Sequence, residues 1–208
     1  MTITTENLCK RFNREWIFRN FSYTFQPGIY AVTGPNGSGK STLLQVLWGQ
    51  MPATSGAAWY NHGASPIQVE DIYAHVTIAA PYVDLIEELT LEEIIQFHFS
   101  FKKSRVGKRT DELMEMMELT HARSKQVAHF SSGMNQRLKL GLALFSDVEM
   151  MFLDEPTTNL DKSSVDWYWR NFSQIEAKTL VLIGSNHESE YPPTATKINL
   201  TDYKVGYK

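Results

Sequence analysis

A single cysteine, Cys9, in 208 residues leaves no pair to join within one chain. No internal disulfide framework can form, which suits a reducing compartment. Long apolar runs are missing too. None approaches the roughly 18–20 residues that a bilayer-spanning helix requires. The N-terminal "MTITTENLCKRF" has no apolar signal-peptide core. The expectation is a soluble chain that reaches a membrane only through a partner. No sign of charge dominates: 20 Lys and Arg stand against 23 Asp and Glu, a net charge of −3. A global basic footprint for nucleic acid is therefore lacking. Internal repeats, low-complexity tracts and linkers are also absent. Apolar residues are plentiful, at 42% hydrophobic and 12% aromatic, enough for a substantial core and too many for a disordered chain. The length fits one domain, or one core with a subdomain attached.

The order of patterns indicates an α/β protein. "MTITTENLCKRF" and "WIFRNFSYTF" have the alternation and the β-branched and aromatic content of strands. "PGIYAVTG" is a turn and a short apolar strand, followed by a glycine-rich loop and then by "KSTLLQVLWGQM" at helical spacing. "TSGAAWYNHG" reads as a hairpin strand bounded by glycines, and "HVTIAAP" as another short strand. Helical patterns then take over in "LTLEEIIQFHFSF", "RTDELMEMMELT" and "SSGMNQRLKLGLALFS", with Thr90 and Thr110 as N-cap candidates. "VEMMFLDE" and "KTLVLIGSNH" are buried-type strands on either side of a helical "KSSVDWYWRNFSQIEA". "KINLTDYKVGYK" looks like a closing hairpin. Buried strands alternating with helices imply a mostly parallel sheet, with the helical middle inserted into that core.

Two stretches bear directly on chemistry. "GPNGSGKS" at Gly34 to Ser41 matches the P-loop pattern in full, with a strand before it and a helix after it. Gly34, Pro35, Asn36, Gly37, Ser38, Gly39, Lys40, Ser41 and Thr42 form the candidate set for ATP. The glycines let the backbone approach phosphates. Lys40 would reach the β- and γ-phosphates, and Ser41 would ligate Mg²⁺. "MMFLDE" supplies carboxylates at a strand's C-terminal end, the edge of an α/β sheet where ligands bind. Asp154 would hold Mg²⁺ through water, and Glu155 would polarise an attacking water as general base. Without the P-loop, the same pair would read as strand-end acids facing solvent.

"FSSGMNQR" at Phe130 to Arg137 poses a question. Hydroxyl residues and a glycine before an amphipathic helix make an anion site, because free N–H groups and the positive helix end point at whatever binds. The chain thus carries two phosphate cradles. Alone, "FSSGM" would read as a capped helix start.

With these motifs in order, the sequence resembles the nucleotide-binding subunit of ABC transporters over nearly its whole length. The matching motifs are the P-loop "GPNGSGKS", a signature "FSSGM", Walker B "MMFLDE", a D-loop "NLD" at Asn159 to Asp161, and a switch histidine in "SNH", His187. The resemblance implies a P-loop NTPase core with a mostly parallel sheet. It adds an N-terminal antiparallel β subdomain and an inserted α-helical subdomain at approximately 82–146, with 1–208 as one ATPase domain. Two copies would pack head to tail as a homodimer, or one copy with a paired ATPase subunit, with Ser131 and Gly133 of one completing the γ-phosphate site of the other. That explains the second cradle and demands a self-complementary C₂ interface. Lys40, Glu155 and His187 would be catalytic. Phe12, in "KRFNREW", lies where the family stacks an aromatic ring on adenine; packing in the core is the competing reading, and Trp16 is a weaker candidate for the stacking role. The implied setting is the cytoplasmic face of the cell membrane, beside an integral membrane transporter subunit, with no nucleic acid.

The departures are specific. Phe130, Ser132 and Met134 replace the usual leucine, glycine and glutamine of the signature. Ala80 or Pro81 stands where the family has a metal- and water-contacting glutamine. Gln68 is too early and Gln96 falls inside a helix. Tyr82 or the backbone would then carry the coupling. The leading expectation is an ATPase subunit that drives a membrane transporter, an exporter. The alternatives are a soluble ATPase of this type acting on nucleic acid or ribosomes, and a non-hydrolysing regulatory subunit.

Overall fold

A computed structural model describes residues 1–204, and the final four lie outside the description. The chain divides into two compact units, Met1–Val76 with Glu149–Asp154 and Ala177–Lys208, and Thr77–Val148 with Glu155–Glu176.

In the first unit, β1 (Thr2–Phe12) and β2 (Glu15–Phe25) form a hairpin that turns at Asn13, φ +50°. After them come β3 (Gly28–Thr33), α1 (Lys40–Leu47), β4 (Ser55–His62) and β5 (Ser65–Ile67). β6 (Val76–Ala79) carries the chain out of this unit, and β7 (Met150–Asp154), β8 (Leu180–Gly184) and β9 (Thr196–Asn199) return to it. An antiparallel sheet has the order β2-β1-β4-β5, in register at Ile3↔Phe25 and Ile3↔Tyr60. Ile3, Phe18, Phe21 and Phe25 are fully buried; Phe21 and Phe25 share a face by alternation, and a register shift between the Leu8↔Phe21 and Lys10↔Phe18 pairs lets the Phe18 ring meet that of Phe21 edge-on at 6.3 Å.

Strands β7, β8, β3 and β9 lie side by side in that order, and the three pairings between them are parallel. Every residue of β7 and β8 is buried, as their unbroken apolar runs require of strands covered on both faces. α1 buries Leu43 and Leu44 completely, and the Trp48 ring meets Phe152 edge-on at 5.4 Å.

The expected closing hairpin does not form in the described residues. β9 pairs parallel to β3, and Leu200–Tyr203 is a 3₁₀ turn. The reason is local and tertiary together. Asn199 Oδ1 accepts the Thr201 N–H at 3.1 Å, which starts the turn. Leu200 is fully buried, and the Tyr203 ring rests 4.7 Å from that of Phe21. The rest of that hairpin reading, 205–208, lies outside the described residues.

The second unit takes in the 82–146 stretch and adds a later helix. It contains α2 (Leu91–Phe101), α3 (Thr110–Met116), α4 (Ser132–Leu144) and α5 (Lys162–Phe172). Thr90 caps α2 as expected, accepting the Glu93 N–H at 3.3 Å while Glu93 accepts the Thr90 N–H at 2.8 Å. Such a box contributes about 1 kcal/mol. Thr110 is not a cap. It is the first helical residue, because Glu112 reaches back to the Arg109 N–H at 3.0 Å and fixes the start one residue earlier. α5 stops at Phe172, short of the expected Ala177, where Arg105 takes the Gln174 carbonyl at 2.6 Å. α4 is buried through most of its length, from Gln136 to Leu144 apart from Lys139, and is the central helix of this unit.

Phe152 is fully buried in β7 and packs against Trp48. Phe152→Ala should cost about 3–5 kcal/mol. Urea unfolding should show a lower midpoint at unchanged slope, and a midpoint equal to that of the parent would refute this account of the core.

Candidate nucleotide-binding site

The P-loop leaves β3 and enters α1 within the first unit. Gly39 precedes α1 at φ +102°, and a Cβ there would fall 2.1 Å from Ile17 Cγ2, so only glycine fits. Lys40 begins the helix and is 5% exposed. Its Nζ donates to the carbonyls of Gly34 at 3.0 Å and Pro35 at 3.3 Å, folding the ammonium into the loop. Ser38 is buried at 1% exposure, and its hydroxyl has no hydrogen-bond partner. A buried hydroxyl without a partner costs free energy that a bound acceptor would recover. The first turn of α1 carries no acidic residue. Ser41 and Thr42 are half-buried there, and Pro35, Asn36 and Gly37 are exposed. A buried cation, an unsatisfied hydroxyl and an open helix N-terminus suit a polyphosphate.

Asp154 ends β7, 2% exposed, opposite Gly184 of β8. A Cβ on Gly184 would lie 2.6 Å from Asp154 Oδ1 and 2.8 Å from Leu44 Cδ1. The glycine therefore makes the space in which this carboxyl group sits. Val32 is also paired with Gly184, so the C-terminal ends of β3, β7 and β8 lie along one sheet edge, with β8 between the strand that leads into the P-loop and the strand that ends in Asp154. With Ser41 at the start of α1, this donor set of hydroxyl and carboxyl oxygens suits Mg²⁺. Glu155 follows at φ +46°, half-buried, with Oε2 3.4 Å from the Thr158 hydroxyl. His187 lies just past the end of β8 and is exposed. Its N–H donates to Ser185 Oγ at 2.9 Å.

In the second unit, Ser131 is the N-cap of α4, accepting the Met134 N–H at 3.2 Å. A Cβ on Gly133 would lie 3.3 Å from the Asn159 carbonyl, so the signature and the D-loop touch. Asp161 caps α5 through the Ser164 N–H at 2.8 Å, and the Ser164 and Ser163 hydrogen bonds hold its carboxyl below the usual range. Arg137 joins these pieces. Its guanidinium contacts the Glu118 carboxylate and the Ser164 hydroxyl and stacks 5.1 Å from the Trp167 ring centre.

Phe12 is 44% exposed at the end of β1, with Lys10 Nζ 5.1 Å from its ring centre. It is not part of the core. Trp16 is half-buried between the guanidiniums of Arg11 and Arg19, at 5.1 and 4.7 Å. At the position of the missing glutamine, Lys139 of α4 donates to the carbonyls of Ala80 and Pro81, both at 3.3 Å. Burial pushes the Lys139 ammonium below the usual lysine range, against the pull of Asp84. Sequence reasoning passed over Gly184, Arg137 and Lys139. The glycine inside an apolar strand was a legible signal; the two cations, at helical positions without a motif of their own, were not.

A family model described as ABC transporter matches residues 18–158. The chain is 28% identical over 207 residues to the daunorubicin resistance ATP-binding protein DrrA2 of Streptomyces coeruleorubidus, covering 96% of this chain and 64% of that one. It is 27% identical over 192 residues to the Nod factor export ATP-binding protein I of Burkholderia lata, covering 90% of this chain and 63% of that one. It thus spans less than two thirds of the length of these curated relatives. The dimeric structure of MJ0796, a bacterial ABC transporter cassette, shares the fold at a TM-score of 0.78 and 18% identity, over 95% of this chain and 94% of that one. With residues 18–158, more than half of its length, inside the family match, the chain belongs to the ABC transporter family.

Proposed function

We propose that the chain hydrolyses ATP to drive transport by a membrane-embedded partner, in the direction of export. The observation that carries this reading is the sheet edge where β3 leads into the P-loop, with its buried Lys40 and Ser38, and β7 ends in the buried Asp154. Gly34 to Thr42 would wrap the phosphates, with Lys40 exchanging two loop carbonyls for phosphate oxygens. Ser41 and Asp154 would hold Mg²⁺, which when bound offsets charge on the phosphates. Glu155 would take a proton from water as the water oxygen bonds to the γ-phosphorus. The bond to the β–γ bridging oxygen breaks, and ADP leaves with the electron pair. His187 would donate to the γ-phosphate, and Phe12, with its exposed ring, would stack on adenine.

Export is supported by what the relatives are named for, daunorubicin resistance in one and Nod factor export in the other. A membrane partner is supported by the family, described as ABC transporter; among the described residues no helix is long and apolar enough to cross a membrane. The second unit offers such a partner an apolar cavity of about 300 Å³, lined by Ile78, Ile86, Phe97, Phe101 and Leu142, with Lys139 and Asp84 also on its wall. The working position would be the cytoplasmic face of the membrane. Two copies would act head to tail, Ser131 and Gly133 of one meeting the nucleotide on the P-loop of the other. Pairing of two copies is supported by the MJ0796 cassette, whose structure is dimeric.

Lys40→Ala should abolish ATP binding without unfolding, because charge-assisted bonds to phosphate are the strong ones. Unchanged affinity in a fluorescent-nucleotide titration would remove Lys40 from the site. Glu155→Gln should lower steady-state hydrolysis by about 10²–10⁴-fold while ATP still binds. Near-normal turnover would mean that the base is elsewhere, and a parent chain without turnover would favour a regulatory subunit. The shared site is tested by mixing. Gly133→Asp places a carboxylate against the partner's γ-phosphate, where like charges in a closed interface repel strongly. Mixed with Lys40→Ala, it yields dimers with one site carrying both defects and the other neither. Part of the activity should return; if mixing restores nothing, with or without the membrane partner, the shared-site reading is wrong.

A further inference from the structure

We infer that Glu190, acting through Ser185, is the positioning residue for His187. The inference rests on the proposed contact between His187 and the γ-phosphate. Its starting point is a pair of polar side chains, Ser185 and Glu190, to which the proposed ATPase reaction gives no role. Ser185 is fully buried and Glu190 is 2% exposed, while His187 between them is exposed. Burying a hydroxyl and a carboxyl group is costly unless each is hydrogen-bonded, and an apolar pair would stabilise the fold at least as well. What the two polar groups do instead is bond to each other, while the Ser185 hydroxyl and the Glu190 N–H hold the His187 backbone from both sides.

The Ser185 hydroxyl donates to Glu190 Oε2 and accepts the His187 N–H at 2.9 Å. The same oxygen is 3.3 Å from the His187 carbonyl. That carbonyl accepts the Glu190 N–H at 3.1 Å. Both polar groups of the His187 backbone are therefore committed, and the residue is held at φ −100°, ψ 117° ahead of a single 3₁₀ turn. The clamp is in turn fixed to the sheet, since the Ser185 N–H donates to the Val32 carbonyl at 3.1 Å, two residues before the P-loop begins. Ser185 directs its one proton to the carboxyl group, which frees its lone pairs for the His187 N–H. Removing the Glu190 oxygen lets the hydroxyl turn to the His187 carbonyl, so the side-chain half of the clamp is lost while the backbone bond to Val32 stays. With that half of the clamp gone, the exposed histidine samples more positions. A displacement of about 1 Å can cost on the order of 10²-fold in rate.

The test is a double-mutant cycle on ATP hydrolysis by the full chain. His187→Ala should lower kcat by about 10²–10³-fold, the scale for one preorganised donor. Glu190→Ala should lower kcat by about 10–100-fold with KM for ATP within about twofold of the parent. Glu190→Gln, which keeps an acceptor oxygen, should recover most of that loss. The decisive measurement is His187→Ala combined with Glu190→Ala, which should be no slower than His187→Ala alone, because a positioning residue has nothing left to position. A merely structural contribution would give losses that multiply, and multiplication overturns the inference. So does parental turnover in Glu190→Ala while His187→Ala is slow. Parental turnover in His187→Ala removes the histidine from the reaction and the inference with it. If circular dichroism shows Glu190→Ala unfolded, Ser185→Ala takes its place in the same cycle, with the same outcomes deciding.

Discussion

Parallel pairing of β3, β7 and β8 is the constraint on which the nucleotide site depends. Their registers align Val32, Asp154 and Gly184 across three strands. Each strand then releases a different piece at the same edge: the P-loop after Thr33, Glu155 after Asp154, and Ser185 to His187 after Gly184. A one-residue slip in any pair would turn an inward side chain outward. The slip is prevented by burial, since all ten residues of β7 and β8 are packed on both faces. Apolar burial far from the chemistry thus fixes polar groups that take no part in it.

Space matters at this edge as much as charge. Gly39 lets the loop pass against Ile17, and Gly184 leaves room for both the Asp154 carboxyl group and Leu44. Any larger residue at 184 would push on the carboxyl group proposed to hold Mg²⁺. The second unit follows a different logic. There Arg137 ties the signature helix to Glu118 and Ser164 while its flat guanidinium covers Trp167. An arginine can do this because it presents several donors in one plane and still stacks on an aromatic face.

The departure at Ala80 and Pro81 has a physical counterpart. A lysine from α4 reaches the two carbonyls in the segment that lacks the family glutamine. The link runs to backbone, so residues at 80 and 81 can vary without breaking it. Lys139 also lines the apolar cavity, which joins the segment, the signature helix and that surface within one unit.

Much of this protein was legible in the sequence. The P-loop could be read because its glycines and Lys40 are close in the chain and set by local geometry. The cap at Thr90 and the helix start at Ser131 were legible for the same reason, as were β7 and β8 from unbroken apolar runs. Thr110 and the closing hairpin misread local patterns that Glu112, Asn199 and the buried Leu200 decide otherwise. The exposure of Phe12 was left open by a strand pattern that fits core and surface alike, and only packing resolved it. The same holds for the Gly184 space, the Lys139 link and the clamp on His187. Each depends on atoms that meet across strands or helices, and the distance between such atoms is set by how the whole chain packs.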